Sequence, residues 1–175
     1  MGAATEAWLL RQWRSRGALA WLLAPLALLF LALTGLRRRL AQPERLPRAV
    51  VVVGNLYVGG TGKTPTTLAL VRALRARGWR PGVIARGHGR NAAGARLVGV
   101  DDDAREVGDE PLLMAQEGLV PVAVAARRLE AGRLLLAEHP ECDVLIADDG
   151  LQHLALARDF EIAVIGPQGL GNGWV

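Results

Sequence analysis

Residues 49–66 read AVVVVGNLYVGGTGKTPT, and this stretch decides the fold. It begins with a run of apolar β-branched residues, continues through a glycine-rich segment and ends in Lys63 and Thr64. Residues 64–74 then carry apolar side chains at helical spacing. A strand, a glycine-rich loop and a helix in this order direct the N-terminus of the helix toward a phosphate group. We therefore predict a phosphate-binding loop between a buried strand and a helix.

Lys63 is the only lysine in the chain, and the other 20 of its 21 basic residues are arginines. Glycines allow successive backbone N–H groups to face one anion, and a slim ammonium fits beside the β- and γ-phosphates better than a guanidinium does. Tyr57 occupies the position where the usual P-loop pattern has its first glycine. A plain glycine-rich turn with an incidental lysine is the alternative. The pattern predicts ATP binding by Gly59, Gly60, Thr61, Gly62, Lys63 and Thr64, with the hydroxyl of Thr64 on Mg²⁺.

The rest of the chain alternates between strand and helix patterns. The runs at 50–53 and 143–147 are apolar throughout, which is typical of parallel strands covered on both faces. This alternation predicts an α/β fold, a P-loop NTPase-like doubly wound and mostly parallel sheet with the nucleotide at the carboxyl ends of its strands. We predict strands at 49–53, 81–85, 95–100, 120–125, 143–147 and 161–165, and helices at 64–77, 110–117 and 127–138.

The basic residues are concentrated at the N-terminus. The formal net charge is +4, yet residues 1–48 contain eight arginines and two glutamates, whereas residues 49–175 contain thirteen basic and fifteen acidic groups. A domain without excess positive charge is not expected to bind nucleic acid.

Residues 17–36 form a run of twenty residues without a charge, which is long enough to span a bilayer. More arginines follow this run than precede it, which favours a cytoplasmic domain on its C-terminal side. Pro25 leaves open a helix lying in one leaflet, and a cleaved signal peptide is a third alternative that the length of the run disfavours. We predict a membrane segment at 1–40, a linker at 41–48 and a kinase domain at 49–175.

Asp148 and Asp149 follow the apolar run at 144–147. A carboxylate at the end of a strand holds Mg²⁺ in P-loop enzymes, although Asp-Asp-Gly is also a good turn sequence. Gln152 and His153 come next and could orient water, substrate or the metal shell.

Three further positions have both a structural and a functional interpretation. Asp109 suits a helix N-cap, or it could accept a hydroxyl proton beside the nucleotide. Arg86 follows a predicted strand, where it could contact a second anion or lie in a flexible turn. Cys142 has no partner within the chain for a disulfide and is interpreted as a small buried apolar residue.

Four segments, at 54–65, 85–89, 108–111 and 148–153, together resemble the tetraacyldisaccharide 4'-kinase family, the lipid A 4'-kinases of Gram-negative bacteria. The resemblance implies transfer of the γ-phosphate of ATP to the 4'-hydroxyl of an acylated glucosamine disaccharide 1-phosphate. It also implies a site on the cytoplasmic side of the bacterial inner membrane. Family members are about twice as long, so we expect this chain to hold the nucleotide half of the site and to transfer phosphate poorly.

The resemblance also implies roles for individual residues. Lys63 and Thr64 would serve the phosphates and Mg²⁺, and the metal site would use Asp148 and Asp149. Asp109 takes the place of the catalytic aspartate, next to Glu110 as a candidate for substrate binding or support. Arg128 matches a basic position near the active site, and His88 stands where the family usually has tyrosine.

Two other functions are compatible with the residues. One is a membrane-attached P-loop switch ATPase without a sugar acceptor, which would release phosphate as inorganic phosphate. The other is a membrane-anchored nucleotide-binding subunit without chemistry of its own.

Overall fold

The computed structural model describes residues 17–55, 62–87 and 94–165. The chain divides into two compact units, of which one is Gln42–Val164. The first helix belongs to the other unit. In chain order the elements are α1 (Ala18–Leu40), β1 (Ala49–Asn55), α2 (Lys63–Arg75), β2 (Pro81–Ala85), β3 (Arg96–Leu97), α3 (Ala104–Val107), α4 (Asp109–Gln116), β4 (Val122–Val124), α5 (Arg128–Glu138), β5 (Val144–Asp148) and β6 (Phe160–Val164).

Six strands form one sheet in the order β3-β4-β2-β5-β1-β6. All neighbours are parallel except β3 and β4, which are antiparallel. The register pairs Val50 with Leu145 and Val53 with Asp148, so the end of β5 lies beside the end of β1. The predicted doubly wound, mostly parallel sheet is confirmed.

The two faces of the sheet are covered by different helices. On one face Val50, Val52 and Leu145 pack in a buried cluster with Leu129 and Leu135 of α5. On the other face Val53 and Ile146 pack with Leu68 and Val71 of α2 and Met114 of α4. Because successive strand residues face opposite sides, strands covered on both faces have to be apolar at every position. This explains the unbroken apolar runs in the sequence.

The strands nearest the β3 edge are shorter than predicted. β3 has two residues and β4 has three, whereas six were predicted for each.

Residues 101–103 have the composition of a solvated turn, but two of them form an ion pair or cap a helix. Asp102 pairs with Arg96 at 2.7 Å, and Asp103 accepts the backbone N–H of Arg105 and caps α3, a helix that the sequence pattern does not predict.

Helix α1 contains 23 residues, including Pro25, and confirms a helix over the uncharged run. Its stretch Trp21–Leu40 has a mean hydropathy of 1.4, and among the described residues it is the one helix long and apolar enough to cross a membrane. Arg37, Arg38 and Arg39 lie in its last turn, where positive charge complements the helix dipole.

Part of the segment predicted as a linker is fixed to the sheet domain. Leu46 is buried in the same cluster as β1 and α5, and Glu44 forms an isolated bridge with Leu156. Arg45 contacts Asp159 at 2.7 Å. The compact unit therefore begins before β1, although the functional division of the chain into domains stays a prediction.

Candidate nucleotide-binding site

Four of the predicted site residues lie at the carboxyl edge of the sheet. Asp148 ends β5 and Arg86 directly follows β2, the neighbouring strand. Arg128 begins α5 shortly after β4 ends, and Lys63 begins α2 after β1. Parallel strands bring their carboxyl ends to one edge, which is where ligands bind in open α/β sheets.

Helix α2 begins where the glycine loop ends. Gly62 precedes the helix with φ of +81°, a left-handed conformation that glycine adopts without steric cost. Its carbonyl accepts the backbone N–H and the hydroxyl of Thr66, at 3.0 and 2.8 Å. Thr64 is the second residue of the helix. Gly59, Gly60 and Thr61 lie outside the described residues, so their predicted contacts with phosphate stay predictions.

The single lysine forms an ion pair with one of the two strand-end carboxylates. Lys63 Nζ lies 2.8 Å from Asp149 Oδ1, and the two side chains are 17% and 56% exposed. Asp149 has φ of +51°, and among the described residues it is the one non-glycine residue with positive φ. This conformation is uncommon outside glycine, although aspartate tolerates it better than most residues. The contact joins the end of the glycine loop to the end of β5.

Asp148 lies deeper than Asp149, with 2% of its surface exposed. Its Oδ1 accepts a hydrogen bond of 2.8 Å from the hydroxyl of Thr67. Burial raises the pKa of Asp148 to about 6, with Glu110 and Asp149 adding to the rise, while the Thr67 hydrogen bond and the charge of Lys63 oppose it. A buried carboxylate with a raised pKa is short of positive charge, so added cation at this site would stabilise its ionised form.

Arg128 supports the main chain of the two aspartates. It is 4% exposed, and its guanidinium donates to the backbone carbonyls of both Asp148 and Asp149. Burial lowers the pKa of Arg128, while the two carboxylates raise it. The Arg128 side chain thus fixes the main chain at the end of β5.

A cleft of about 350 Å³ lies beside this ion pair and is lined by Lys63, Asp109, Glu110, Pro111 and Asp149. The structure corrects the capping interpretation of Asp109, because Gly108 is the N-cap and Asp109 is the first helical residue. Glycine can adopt the φ of +94° found at Gly108, and Asp109 in the next position is exposed. The first turn of α4 therefore brings two acids to the cleft that contains Lys63 and Asp149.

The other candidates lie around the cleft. Gln152 is exposed, and it lies with His153 in the turn after Asp149. His153 Nε2 is buried without a hydrogen-bond partner among the described residues. Burial lowers the pKa of His153, as do Arg128, Arg158, Arg127 and Arg86, which favours a neutral ring. Arg86 is exposed at the end of β2, whereas His88 lies outside the described residues.

Two supporting residues are absent from the sequence-based predictions. Thr67 follows Lys63 by four positions, so helical spacing could have placed it on the same face of α2. Arg158 donates to the carbonyls of Gly150, Leu151 and His153, at 3.0 to 3.3 Å, and so shapes the turn after Asp149. No local pattern in the sequence indicates that contact.

The carboxylate and hydroxyl oxygens of this site are of the kind that bind Mg²⁺ together with a nucleotide. Magnesium is usually held by one or two carboxylates, with substrate phosphates and water completing its shell. Asp148, Asp149 and the hydroxyl of Thr64 offer that kind of oxygen at the edge of the sheet. Among the described residues no group of three or more His, Cys, Asp or Glu side chains could hold a metal by itself.

A doubly wound parallel sheet, a helix that begins with glycine and lysine, and paired strand-end carboxylates define a nucleotide-binding α/β protein of the P-loop kinase class. Comparison with known proteins gives the family. A family model described as LpxK, tetraacyldisaccharide-1-P 4'-kinase, matches residues 19–175, and the chain belongs to this family. The recognition made from the sequence motifs is confirmed.

Curated relatives and a solved structure agree with this assignment. The chain is 58% identical to the tetraacyldisaccharide 4'-kinase of Acidovorax sp. (strain JS42), over 93% of this chain and 50% of the relative. It is 55% identical to that of Dechloromonas aromatica (strain RCB), over 95% of this chain and 51% of the relative. The chain thus spans about half the length of these relatives.

The crystal structure of the "apo" form of LpxK from Aquifex aeolicus in complex with ATP, at 2.2 Å resolution, is also similar. It matches with a TM-score of 0.71 and 34% identity, over 83% of this chain and 48% of that one. This similarity supports the fold and an ATP site within the family.

Proposed function

We propose that this chain supplies the nucleotide site of a kinase that transfers the γ-phosphate of ATP to the 4'-hydroxyl of a tetraacylated glucosamine disaccharide 1-phosphate. The observation that carries the proposal is the placement of Lys63 Nζ 2.8 Å from Asp149, in a cleft that also contains Asp109 and Glu110. A cation and several carboxylates in one cleft are what phosphoryl transfer requires, because its catalysis depends on positioning and charge stabilisation.

Lys63 neutralises the terminal phosphates in this proposal. Its ammonium pairs with Asp149 and would exchange that partner for phosphate oxygens when ATP binds. Asp148, Asp149 and Thr64 would hold Mg²⁺, which would supply positive charge to offset the charge that develops on the transferred phosphoryl group. Arg128 donates hydrogen bonds to the backbone carbonyls of both aspartates, and Thr67 donates one to the side chain of Asp148.

Asp109 is proposed to accept the proton of the sugar hydroxyl. Its carboxylate is exposed, lines the cleft and lies in the first turn of α4. A carboxylate that is accessible and charged can act as general base for an attacking hydroxyl. Glu110 lies beside it and is proposed to support or contact the acceptor.

Helix α1 is proposed to hold the enzyme at the bacterial inner membrane, with the catalytic domain on the cytoplasmic side. The proposal rests on the apolar stretch Trp21–Leu40 and on the arginines that follow it. An acylated acceptor resides in the bilayer, so attachment would bring the cleft close to the substrate.

The test uses the full-length protein, labelled ATP and an acylated disaccharide 1-phosphate. We expect label on the lipid, and we expect Lys63→Ala to reduce the labelling rate at least about a hundredfold, which is typical when one preorganised donor to transition-state charge is removed. Arg72→Ala is a matched control, because Arg72 lies on the same helix and forms an exposed ion pair with Glu117. Such pairs contribute little, so that variant should stay within about twofold of the unmodified protein.

Normal turnover by Lys63→Ala would contradict the proposed site. If the full-length protein instead releases label solely as inorganic phosphate, the switch ATPase replaces the lipid kinase as the function.

A further inference from the structure

We propose that Thr67 is a positioning residue, which holds the Asp148 carboxylate in the orientation that the phosphoryl-transfer site requires; this inference rests on the function proposed above. The hydroxyl of Thr67 donates to Asp148 Oδ1 at 2.8 Å. The threonine lies on the helix that begins with Lys63, whereas the aspartate ends β5. The contact therefore joins the phosphate-binding helix directly to the carboxylate site.

The spacing of the contacts makes this arrangement specific. Lys63 and Thr67 are four residues apart, so they lie on one face of α2. Lys63 contacts Asp149 at 2.8 Å, and Thr67 contacts the adjacent Asp148 at the same distance. One helix face thus holds two consecutive carboxylates, and each carboxylate has its own partner.

Burial makes the Thr67 contact hard to replace. Thr67 is 0% exposed and Asp148 is 2% exposed, so little water is available to replace a lost hydrogen-bond donor. A carboxylate oxygen that loses its donor in such a place stays unsatisfied, or the side chain rotates toward another partner. Either result displaces the oxygen atoms that the site depends on.

Arg128 and Lys63 do not duplicate this role. Arg128 donates to the main-chain carbonyls of Asp148 and Asp149, so it fixes the strand end and leaves the side-chain torsion of Asp148 free. Lys63 makes its hydrogen bond with Asp149. Among the described side chains, Thr67 is the one that hydrogen-bonds to the Asp148 carboxylate.

The neighbouring threonine shows what an ordinary helical threonine does. The hydroxyl of Thr66 donates a hydrogen bond to the carbonyl of Gly62, four residues earlier in the chain. This local bond is the usual one for threonine in a helix. Thr67 instead donates across to the sheet, and Thr66 therefore provides a control with the same chemistry at an adjacent position.

The experiment compares Thr67→Val, Thr67→Ser and Thr66→Val in the full-length protein. Valine keeps the shape of threonine and removes the hydroxyl, whereas serine keeps the hydroxyl. The readouts are kcat, the KM for ATP, the affinity for Mn²⁺ measured by electron paramagnetic resonance with a non-hydrolysable ATP analogue, and the thermal unfolding temperature. Mn²⁺ serves as the probe because it prefers the same oxygen ligands as Mg²⁺.

We expect Thr67→Val to lower kcat about tenfold and to weaken Mn²⁺ binding about tenfold, as loss of a hydrogen bond to a charged group would. The KM for ATP should change less than about threefold, because Lys63 and the glycine loop stay intact. Thr67→Ser should recover most of both losses, and Thr66→Val should show neither. If Thr67→Val fails to fold, Thr67→Ala and Thr67→Ser form a second pair that differs only in the hydroxyl.

Unchanged kcat and Mn²⁺ affinity in folded Thr67→Val would overturn the proposal and leave Thr67 as a packing residue. Equal losses in the serine and valine variants would also overturn it, because the hydroxyl would then not be the cause. Absence of lipid labelling by the unmodified protein would count against the proposed function alone, since the Mn²⁺ measurement tests Thr67 without any acceptor.

Discussion

Asp148 and Asp149 are adjacent in sequence and have different environments. Asp148 is buried at the end of β5 and is held by Thr67, whereas the Asp149 side chain is 56% exposed and pairs with Lys63. The difference arises because the strand ends between them and the chain turns at Asp149 with positive φ. Burial raises the pKa of Asp148 to about 6, whereas Asp149 lines the cleft.

Cys142 provides a residue-scale test of the packing. It is 1% exposed in the cluster beneath α5, and burial, with Glu141 and Asp143, raises the pKa of its thiol to about 11. Because the thiolate is the reactive form, we expect maleimide at pH 7.5 to label Cys142 at least about a hundredfold faster in denaturant than in the folded protein. Mass spectrometry of the peptide containing Cys142 measures both rates. Equal rates would mean that this part of the core is open to solvent.

At the residue scale, the sequence predicts those site residues whose position follows from a local pattern. Lys63, Asp148 and Asp149 stand in recognisable positions relative to a strand or a glycine loop, so they could be predicted. Arg158 could not, because its contacts with the carbonyls of the turn depend on how that turn folds back. Asp109 was misinterpreted as a cap for a similar reason, since Gly108 can adopt a φ of +94° and take the capping position.

At the scale of elements, the sequence predicted the strands beside the site better than the two strands near the β3 edge. β1 and β5 lie between other strands, and their apolar runs predicted them within two residues. β3 at the edge of the sheet contains only Arg96 and Leu97 of the predicted 95–100, and Val98 adds one further backbone hydrogen bond to Val122 of β4, at 2.8 Å. Pairing of this kind is decided by tertiary contacts, which a single segment of sequence does not reveal.

The junction of β1 and β6 depends on Asp159. Its carboxylate accepts the backbone N–H of Val50 at 2.8 Å and the guanidinium of Arg45 at 2.7 Å. These bonds, with Val50 contributing most, lower the pKa of Asp159. A carboxylate with a lowered pKa in the folded state stabilises the fold above its unfolded pKa, and that contribution is lost as the pH falls through the folded value.

We therefore expect Asp159→Asn to lower the thermal unfolding temperature by a few degrees at pH 7. The deficit should stay constant down to about pH 5 and should shrink below about pH 4, where the carboxyl of Asp159 in the unfolded chain begins to take up a proton. Unfolding followed by circular dichroism across this pH range measures the difference. Asp101→Asn is the control, because Asp101 is exposed in a turn. A deficit that is the same at every pH would show that the charge of Asp159 does not contribute.

At the scale of the whole molecule, exposed apolar side chains and excess basic charge are both concentrated toward the N-terminus. Helix α1 has large apolar side chains with high exposure, such as Leu22 at 76%, whereas the sheet domain buries its apolar residues in clusters on both faces. Residues 1–48 contain eight arginines and two glutamates, and residues 49–175 contain fifteen acids and thirteen basic groups. This arrangement supports the proposal that α1 attaches the chain to a membrane.

Attachment by apolar burial and attachment by charge respond differently to salt. Residues 1–40 fused to a soluble fluorescent protein should stay in the membrane fraction in 1 M salt, because screening weakens contacts with anionic lipids and leaves the burial of an apolar helix intact. Replacing Arg37, Arg38 and Arg39 with glutamine is the matched control. It should leave the fusion in the membrane fraction and reduce the share of reporters on the cytoplasmic side, measured by protease protection. Release of the unmodified fusion by salt would mean that the arginines, and not the apolar stretch Trp21–Leu40, hold the protein at the bilayer.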